Sequence, residues 1–369
     1  MLSRACSNLE ADLQAQRKLH GRLLTAFVTL LLGVVTAAAE QDTGSDDLPT
    51  SVAPPQQPTQ VSIAAFLIGL SRVSEPSAAF PSFDAEMYID LSWRDPGLAF
   101  SSDTGSARVF QEEEAAEKLS EIWSPDPEIQ NEIEQRETES IELRILPDGT
   151  VEYEERFGAV VHAEFDLARF PFDDQILELE FQSFLWDHRD MVFVADEQRT
   201  GFDPDFKTPE WIVTGATGSV DVRSEIRDDR DFSTFTFRIQ AERQSGHYVM
   251  RFLLPLMFVM GLTWSAFWMP AGQRFRVGFI ALLTVVASHT VISGTLPRLS
   301  YPTFADVVLL VCYLYATALI VVSLKIQRLE ESEEDGTGEL ARKLDARTRW
   351  SLPVAAILAL GTAVMVLWN

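Results

Sequence analysis

The chain has 369 residues, enough for two domains, and 46% of them are hydrophobic. Fifty-five acidic residues against 30 lysines and arginines leave a net charge of −25, which argues against a nucleic-acid or anionic-lipid partner. With 2 cysteines, 5 scattered histidines and no HExxH, CxxC or glycine-rich phosphate loop, nothing points to a metal centre, a cofactor or an enzyme active site.

Arg17, Lys18, His20 and Arg22 precede the apolar run Leu23–Val35, and Ala37, Ala38 and Ala39 supply the small residues of a cleavage site. Residues 1–39 therefore read as a secretory signal peptide. An uncleaved membrane helix is the alternative, although the apolar run falls short of the ~20 residues a spanning helix needs. Residues 40–60, rich in Asp, Pro, Gln, Ser and Thr, read as a disordered lead. Cys6 lies in the signal and Cys312 in an apolar span, so no intrachain disulfide is expected after processing.

From 61 to 250 the chain alternates apolar and polar residues in short segments: VSIAAFLIGL, EMYIDLSW, IELRIL, TVEYEERF and TFTFRIQAER. Leu146–Thr150, LPDGT, is a hairpin with Asp148 and Gly149 at the turn. One helix is expected over Arg108–Leu119. Strands at this spacing predict a β-sandwich. Within it, Ala163–Leu177 (AEFDLARFPFDDQIL) holds an aromatic-Pro-aromatic-Asp turn, where Pro171 fixes φ and biases Phe170 toward an extended conformation.

Residues 251–369 carry four apolar spans, Phe252–Met269, Val277–Leu296, Phe304–Leu324 and Trp350–Trp368. Arg274 and Arg276 lie in the first-to-second connection. Lys325, Arg328, Arg342, Lys343, Arg347 and Arg349 lie in the third-to-fourth, beside the acidic run EESEED. Basic short loops belong on the cytoplasmic side, which puts the sandwich and the C-terminus outside the cytosol.

Five features in order carry a resemblance: Trp93-Arg94-Asp95, Trp123-Ser124-Pro125-Asp126 followed by Asn131, FPFDDQ, Pro255 in the first span, and LPRLSY after the second. Together they resemble the bacterial pentameric ligand-gated ion channels (Cys-loop receptor family). The cysteines that bracket the turn in that family would fall on Ala163 and Leu177, and this chain has neither. The resemblance implies an extracellular all-β, immunoglobulin-like sandwich followed by a four-helix transmembrane bundle. It also implies a multi-pass protein of the bacterial inner membrane, whose partners are the lipid bilayer, four further copies of itself and a small-molecule or ion agonist.

On the second span, steps of four and three residues place Arg276, Ile280, Leu283, Ala287, Thr290 and Gly294 on one helical face. The resemblance puts that face on the pore axis, with Ile280, Leu283 and Ala287 as a constriction that blocks ions by dewetting. Thr284, Ser288 and Thr295 mark a competing stripe. Five Arg276 side chains in a ring, ~8 Å apart at an effective dielectric of ~20, would repel by about 2 kcal/mol per neighbouring pair, which permeating anions relieve. Gln273 stands where cation-selective relatives usually carry an acidic residue. Anion selectivity is the expectation. Against it stand Arg274 and Arg276 merely snorkelling to the interface, a cation-selective pore concentrating ions through its acidic outer domain, or a membrane-anchored binding protein that conducts nothing.

Carried over by position, an agonist site between subunits would use Tyr88 on the complementary face. The principal loops would supply Gln130, where an aromatic is usual, Phe184 and Trp186, and Phe232 and Phe235. Aromatics there bind cations through their π faces, yet each fits core packing equally well. Coupling to the gate is expected where Phe172 and Asp173 meet the membrane domain, with Asp173 paired to Arg243 and the turn pressing on the loop around Pro297 and Tyr301. His289 and His247 are either packed or pH-responsive.

Overall fold

The computed structural model describes residues 53–73, 80–101, 106–225, 230–294, 296–297, 299–332 and 336–368. The expected signal peptide, most of the lead, Thr295 and Arg298 lie outside them.

Among the described residues, eleven strands form the N-terminal half. They are β1 (Thr59–Ser71), β2 (Ser82–Arg94), β3 (Arg108–Gln111), β4 (Pro127–Ile129), β5 (Glu132–Ile145) and β6 (Thr150–His162), then β7 (Asp174–Ser183), β8 (Met191–Ala195), β9 (Gly201–Phe202), β10 (Trp211–Glu225) and β11 (Arg230–Arg243). A seven-stranded sheet runs β3-β5-β6-β2-β1-β8 with β9 also beside β1, and a four-stranded sheet runs β10-β11-β7-β4. Period-2 alternation gives each sheet one apolar face. Val151, Tyr153, Phe157, Ala159 and Val161 of β6 meet Leu177, Leu179 and Phe181 of β7 and Phe235, Phe237 and Ile239 of β11 in one core. Glu155 breaks the pattern at 1% exposure. It accepts from Thr138 Oγ1 at 2.6 Å and from Tyr153 Oη at 2.9 Å and pairs with Arg136 at 3.2 Å, so the buried charge is fully partnered.

The family motifs are packing devices. Trp93 and Trp123 meet edge to face at 5.9 Å, and Trp186 lies 5.9 Å from Trp123. Asn131, between β4 and β5, joins β6 to β7 by donating to His162 O (3.1 Å) and Glu178 O (2.8 Å) and accepting from Glu180 N (3.2 Å). Gly149 has φ +83, and a Cβ there would sit 2.3 Å from the Asp95 carbonyl, so the hairpin turn requires glycine. Ala163 and Leu177, which replace the family's cysteines, are both buried in the core.

The helix expected over Arg108–Leu119 is two elements. Arg108–Gln111 pairs with β5, and α1 spans Glu112–Glu121. The break falls where Val109 and Phe110 give way to Glu112, Glu113 and Glu114, whose charges suit a helix N-terminus. β1 starts at Thr59, inside the expected lead, because it gains parallel pairing with β8.

Four long helices follow: α2 (Gly246–Trp268), α3 (Ala271–Ser293), α4 (Phe304–Glu330) and α5 (Thr337–Leu367). All are long and apolar enough to cross a membrane. α2 widens to a π turn over Val249–Leu253, just before Pro255, which has no N–H to give the regular ladder. α4 opens with a capping box between Thr303 and Asp306. α3 begins six residues before the expected span and α5 thirteen before, because hydropathy ends where charges begin while backbone hydrogen bonding continues. Lys325 and Arg328 thus belong to α4, and Arg342, Lys343, Arg347 and Arg349 to α5.

Candidate functional site: the sandwich–bundle junction, the α3 face and the outer sheet face

The aromatic-Pro-aromatic-Asp turn inserts between the two halves of the protein. Phe170 is 2% exposed and packs with Leu167, Phe252, Phe304 and Leu309. Asp173 is gripped by Arg243, with Nε donating to Oδ1 at 2.8 Å and Nη2 to Oδ2 at 3.1 Å. Gln175 Nε2 adds a third donor at 2.8 Å. The Arg243 guanidinium lies over the rings of Trp211 (4.2 Å), Phe170 (5.2 Å) and Tyr248 (5.7 Å). It therefore joins the end of β11, the turn and the start of α2. Tyr301 Oη accepts from Leu167 N at 3.0 Å and donates to Phe165 O at 3.1 Å. Pro297 is half-buried in the same loop, beside Leu296 and Leu299 that pack on this cluster. Phe172 lies 6.0 Å from Phe304 and 6.3 Å from Trp368 at the end of α5. Sequence reasoning missed Trp368 and its partner Arg169, whose Nε donates to Leu367 O at 3.0 Å.

α3 has one buried stripe and a broad exposed arc that also includes Phe279, Thr284 and Val286. Arg274, Gly278, Ala281, Val285 and Ile292 are buried within the subunit. Arg276, Ile280, Leu283, Ala287, Thr290 and Gly294 are all exposed, Ile280 at 66% and Leu283 at 69%. At 3.6 residues per turn the two sets lie roughly 200° apart on the helix. The Thr284 and Ser288 hydroxyls, on the competing stripe, donate to Ile280 O (2.9 Å) and Thr284 O (3.0 Å), as Thr290 Oγ1 does to Ala287 O (2.7 Å), so the hydroxyls of both stripes are taken up by their own helix. Arg276 sits over Phe275 at 5.9 Å and meets no acidic side chain among the described residues. His289 Nδ1 lies 3.3 Å from Tyr313 Oη, and His247 packs edge-on against Tyr248 at 5.5 Å, so each has a packing partner.

The six positions expected around an agonist divide. Phe184 is 61% exposed, Gln130 is exposed and Tyr88 is half-buried on the outer face of β2 under Arg156. Trp186 is half-buried, with Nε1 donating to Ser124 O at 2.8 Å. Phe235 and Phe232 run against expectation, at 0% and 2% exposed. Phe235 alternates in phase with Phe237 and Ile239 and lies 6.1 Å from Phe181 in the core. Phe232 is sealed by Arg230, whose guanidinium lies 5.0 Å from its ring.

Beside Tyr88 the same sheet face carries a row of carboxylates that sequence reasoning passed over. Asp90 faces Glu154 across the β2–β6 ladder, and Glu154 faces Glu142 across β5–β6. Like charges in direct register repel. Burial pushes the Asp90 carboxyl up to about 6; Arg199, 3.3 Å away, opposes this, while Glu154, Asp196 and Glu152 add to it. The signal was available in SFDAEMYIDLSW, whose polar phase is 84, 86, 88 and 90.

A sandwich whose turn plugs into a four-helix bundle defines a ligand-gated channel architecture. Residues 46–245 match the family described as the neurotransmitter-gated ion-channel ligand binding domain. That is more than half of the chain, and the protein belongs to that family, the pentameric ligand-gated ion channels, which are not enzymes. Over 314 residues, 84% of each chain, it is 27% identical to a proton-gated ion channel of Gloeobacter violaceus.

Proposed function

We propose that five copies surround a pore lined by α3 and that the pore selects anions. The observation carrying this reading is the division of α3. Arg276, Ile280, Leu283, Ala287, Thr290 and Gly294 are turned roughly 200° from the face packed on the subunit, where a lining helix needs its conduit. Exposed Ile280 and Leu283 supply an apolar gate, and Arg276, which meets no acidic side chain among the described residues, a cationic ring. The acidic sandwich pulls toward cations, yet solvent screens it over about 8 Å at physiological salt, and the ring stands at the ion path. The sandwich lies outside the cytosol of a bacterial inner membrane, behind a cleaved signal in residues 1–39, and the basic ends of α4 and α5 lie inside. Phe172, Asp173, Arg243, Pro297 and Tyr301 couple the two halves.

For the agonist, protons are the reading to test first. The Gloeobacter violaceus relative is proton-gated, and beside Tyr88 the Asp90 carboxyl is pushed up to about 6 by burial. A small organic cation bounded by Tyr88, Gln130, Phe184 and Trp186 is the second reading.

The test is the reversal potential of Leu283→Ser in a NaCl gradient across a planar bilayer. A hydroxyl in the apolar ring should let the pore wet without agonist, reversing near the chloride potential. Reversal near the sodium potential would overturn anion selection, and silence from assembled pentamers would overturn the gate.

A further inference from the structure

Two arginines precede the apolar stretch of α3, and their surroundings are opposite. Arg276 is exposed on the face away from the bundle. Arg274 is 6% exposed. Its Nη1 pairs with Asp345 of α5, its Nε donates to Met269 O at 2.6 Å, and its guanidinium lies over the Phe267 ring at 5.6 Å. The second oxygen of Asp345 accepts from Arg349 Nη2 at 3.1 Å. Arg349 in turn reaches Phe267 O at 3.4 Å and stacks over Trp268 at 5.1 Å. One carboxylate thus holds two guanidiniums, which satisfy the carbonyls that the end of α2 leaves without intrahelical partners.

We propose that Asp345 is a specificity-determining residue. Its one negative charge, shared between Arg274 and Arg349, leaves that cluster one net positive charge per subunit instead of two, beside the exposed Arg276. The inference rests on the reading of α3 as the pore helix. Its physical basis is that a buried cation is tolerated only with a partner, and the partner removes its field from the ion path. Asp345 stands 71 positions from Arg274 in sequence, so the fourth helix, which lines no pore, sets the field of the second.

The test is the chloride-to-sodium permeability ratio of full-length protein in planar bilayers, in the Leu283→Ser background and with acid steps on the otherwise unaltered chain. Asp345→Asn uncovers a positive charge and should raise the ratio. Arg274→Gln removes a positive one, leaving Asp345 paired with Arg349 alone, and should lower it. A shift of roughly ninefold in each direction corresponds to one charge about 10 Å from the ions at an effective dielectric of about 50, because that charge favours one ion and disfavours the other by the same amount. Asp345→Asn/Arg274→Gln removes one charge of each sign, leaves Arg349 in place, and so keeps the parent's net charge and should return the ratio to that of the parent. A purely structural fastening would move both single variants the same way, and that result overturns the proposal. Unchanged ratios in assembled single variants overturn it as well. Should Asp345→Asn fail to assemble, the double variant decides, and a ratio unlike the parent's counts against the proposal. Arg276→Gln is the separate control. If it leaves the ratio unmoved, the pore reading itself falls, whatever Asp345 does.

Discussion

Arg243 holds Asp173 through two near-parallel hydrogen bonds, and the two side chains are 4% and 1% exposed. Bidentate geometry is what a guanidinium supplies and an ammonium does not. Because the Arg243 guanidinium also covers Phe170, Trp211 and Tyr248, the pair ties β11 to both the turn and α2. Asp173→Asn leaves a buried cation uncompensated, a loss of about 3–5 kcal/mol. Thermal melting of the solubilised pentamer should drop, and channels that survive should require more agonist. Arg243→Lys keeps the charge but loses the fork, and should fall in between. Unchanged melting together with unchanged currents would remove the pair from both the stability and the coupling accounts.

Asp90 predicts a pH dependence with a definite sign. Its folded value, about 6, lies above the ordinary 3.8, so the folded state holds the proton more tightly than the unfolded chain. The ionised form is the disfavoured one. Stability on this account is greatest below about pH 4, declines as pH rises through 6 and is then level. Asp90→Asn cannot ionise, so it should melt above the parent at pH 7.5, and the gap should narrow as pH falls through 6 and close only below about pH 4. If protons are the agonist, the same variant should also show a displaced acid response. A melting difference that does not vary with pH would show that burial of this carboxyl is not felt.

Trp368 closes the opposite side of the turn. Its ring lies 6.3 Å from Phe172, 5.7 Å from Phe304 and 5.7 Å from the Arg169 guanidinium. Aromatic pairs of this geometry contribute about 0.5–1.5 kcal/mol each beyond area burial. Trp368→Ala should therefore lower the melting temperature modestly and shift agonist sensitivity, whereas Trp368→Phe should retain most of both. Equal behaviour of the two variants would show that the ring contacts contribute nothing to either.

The architecture was largely legible because its signals are local. Alternation marks β6, β7 and β11, and apolar length marks four spans. The junction was legible in part, since Asp173 and Arg243 do pair as the resemblance implied. What escaped is set by partners distant in sequence. Arg274 and Arg276 differ by two positions and look alike in the chain; only the arrival of Asp345 from α5 buries one of them. Phe235 was a misjudged aromatic, although its phase with Phe237 and Ile239 already pointed to the core. Helix ends escaped because composition changes at the membrane boundary while the hydrogen-bond ladder does not.

Gly278 supplies the last prediction. It lies on the buried face of α3, against α4, and an added Cβ would stand 2.5 Å from Ile320 Cγ1. No carbon can occupy that space, so α3 and α4 approach as closely as they do because the position is glycine. Gly278→Ala must push α3 outward or move the Ile320 side chain, and overpacking of this kind typically costs about 1–3 kcal/mol. Since Arg276 and Ile280 stand on the exposed face two positions either side of Gly278, an outward push would also narrow the path they are proposed to line. Lower melting and smaller single-channel conductance are expected together. Ile320→Ala removes the obstructing atoms, so the double variant Gly278→Ala/Ile320→Ala should regain conductance even though Ile320→Ala alone leaves a cavity. If Gly278→Ala melts and conducts like the parent, the α3–α4 contact is looser than the structure has it, and the exposed face of α3 is not held in place by this approach.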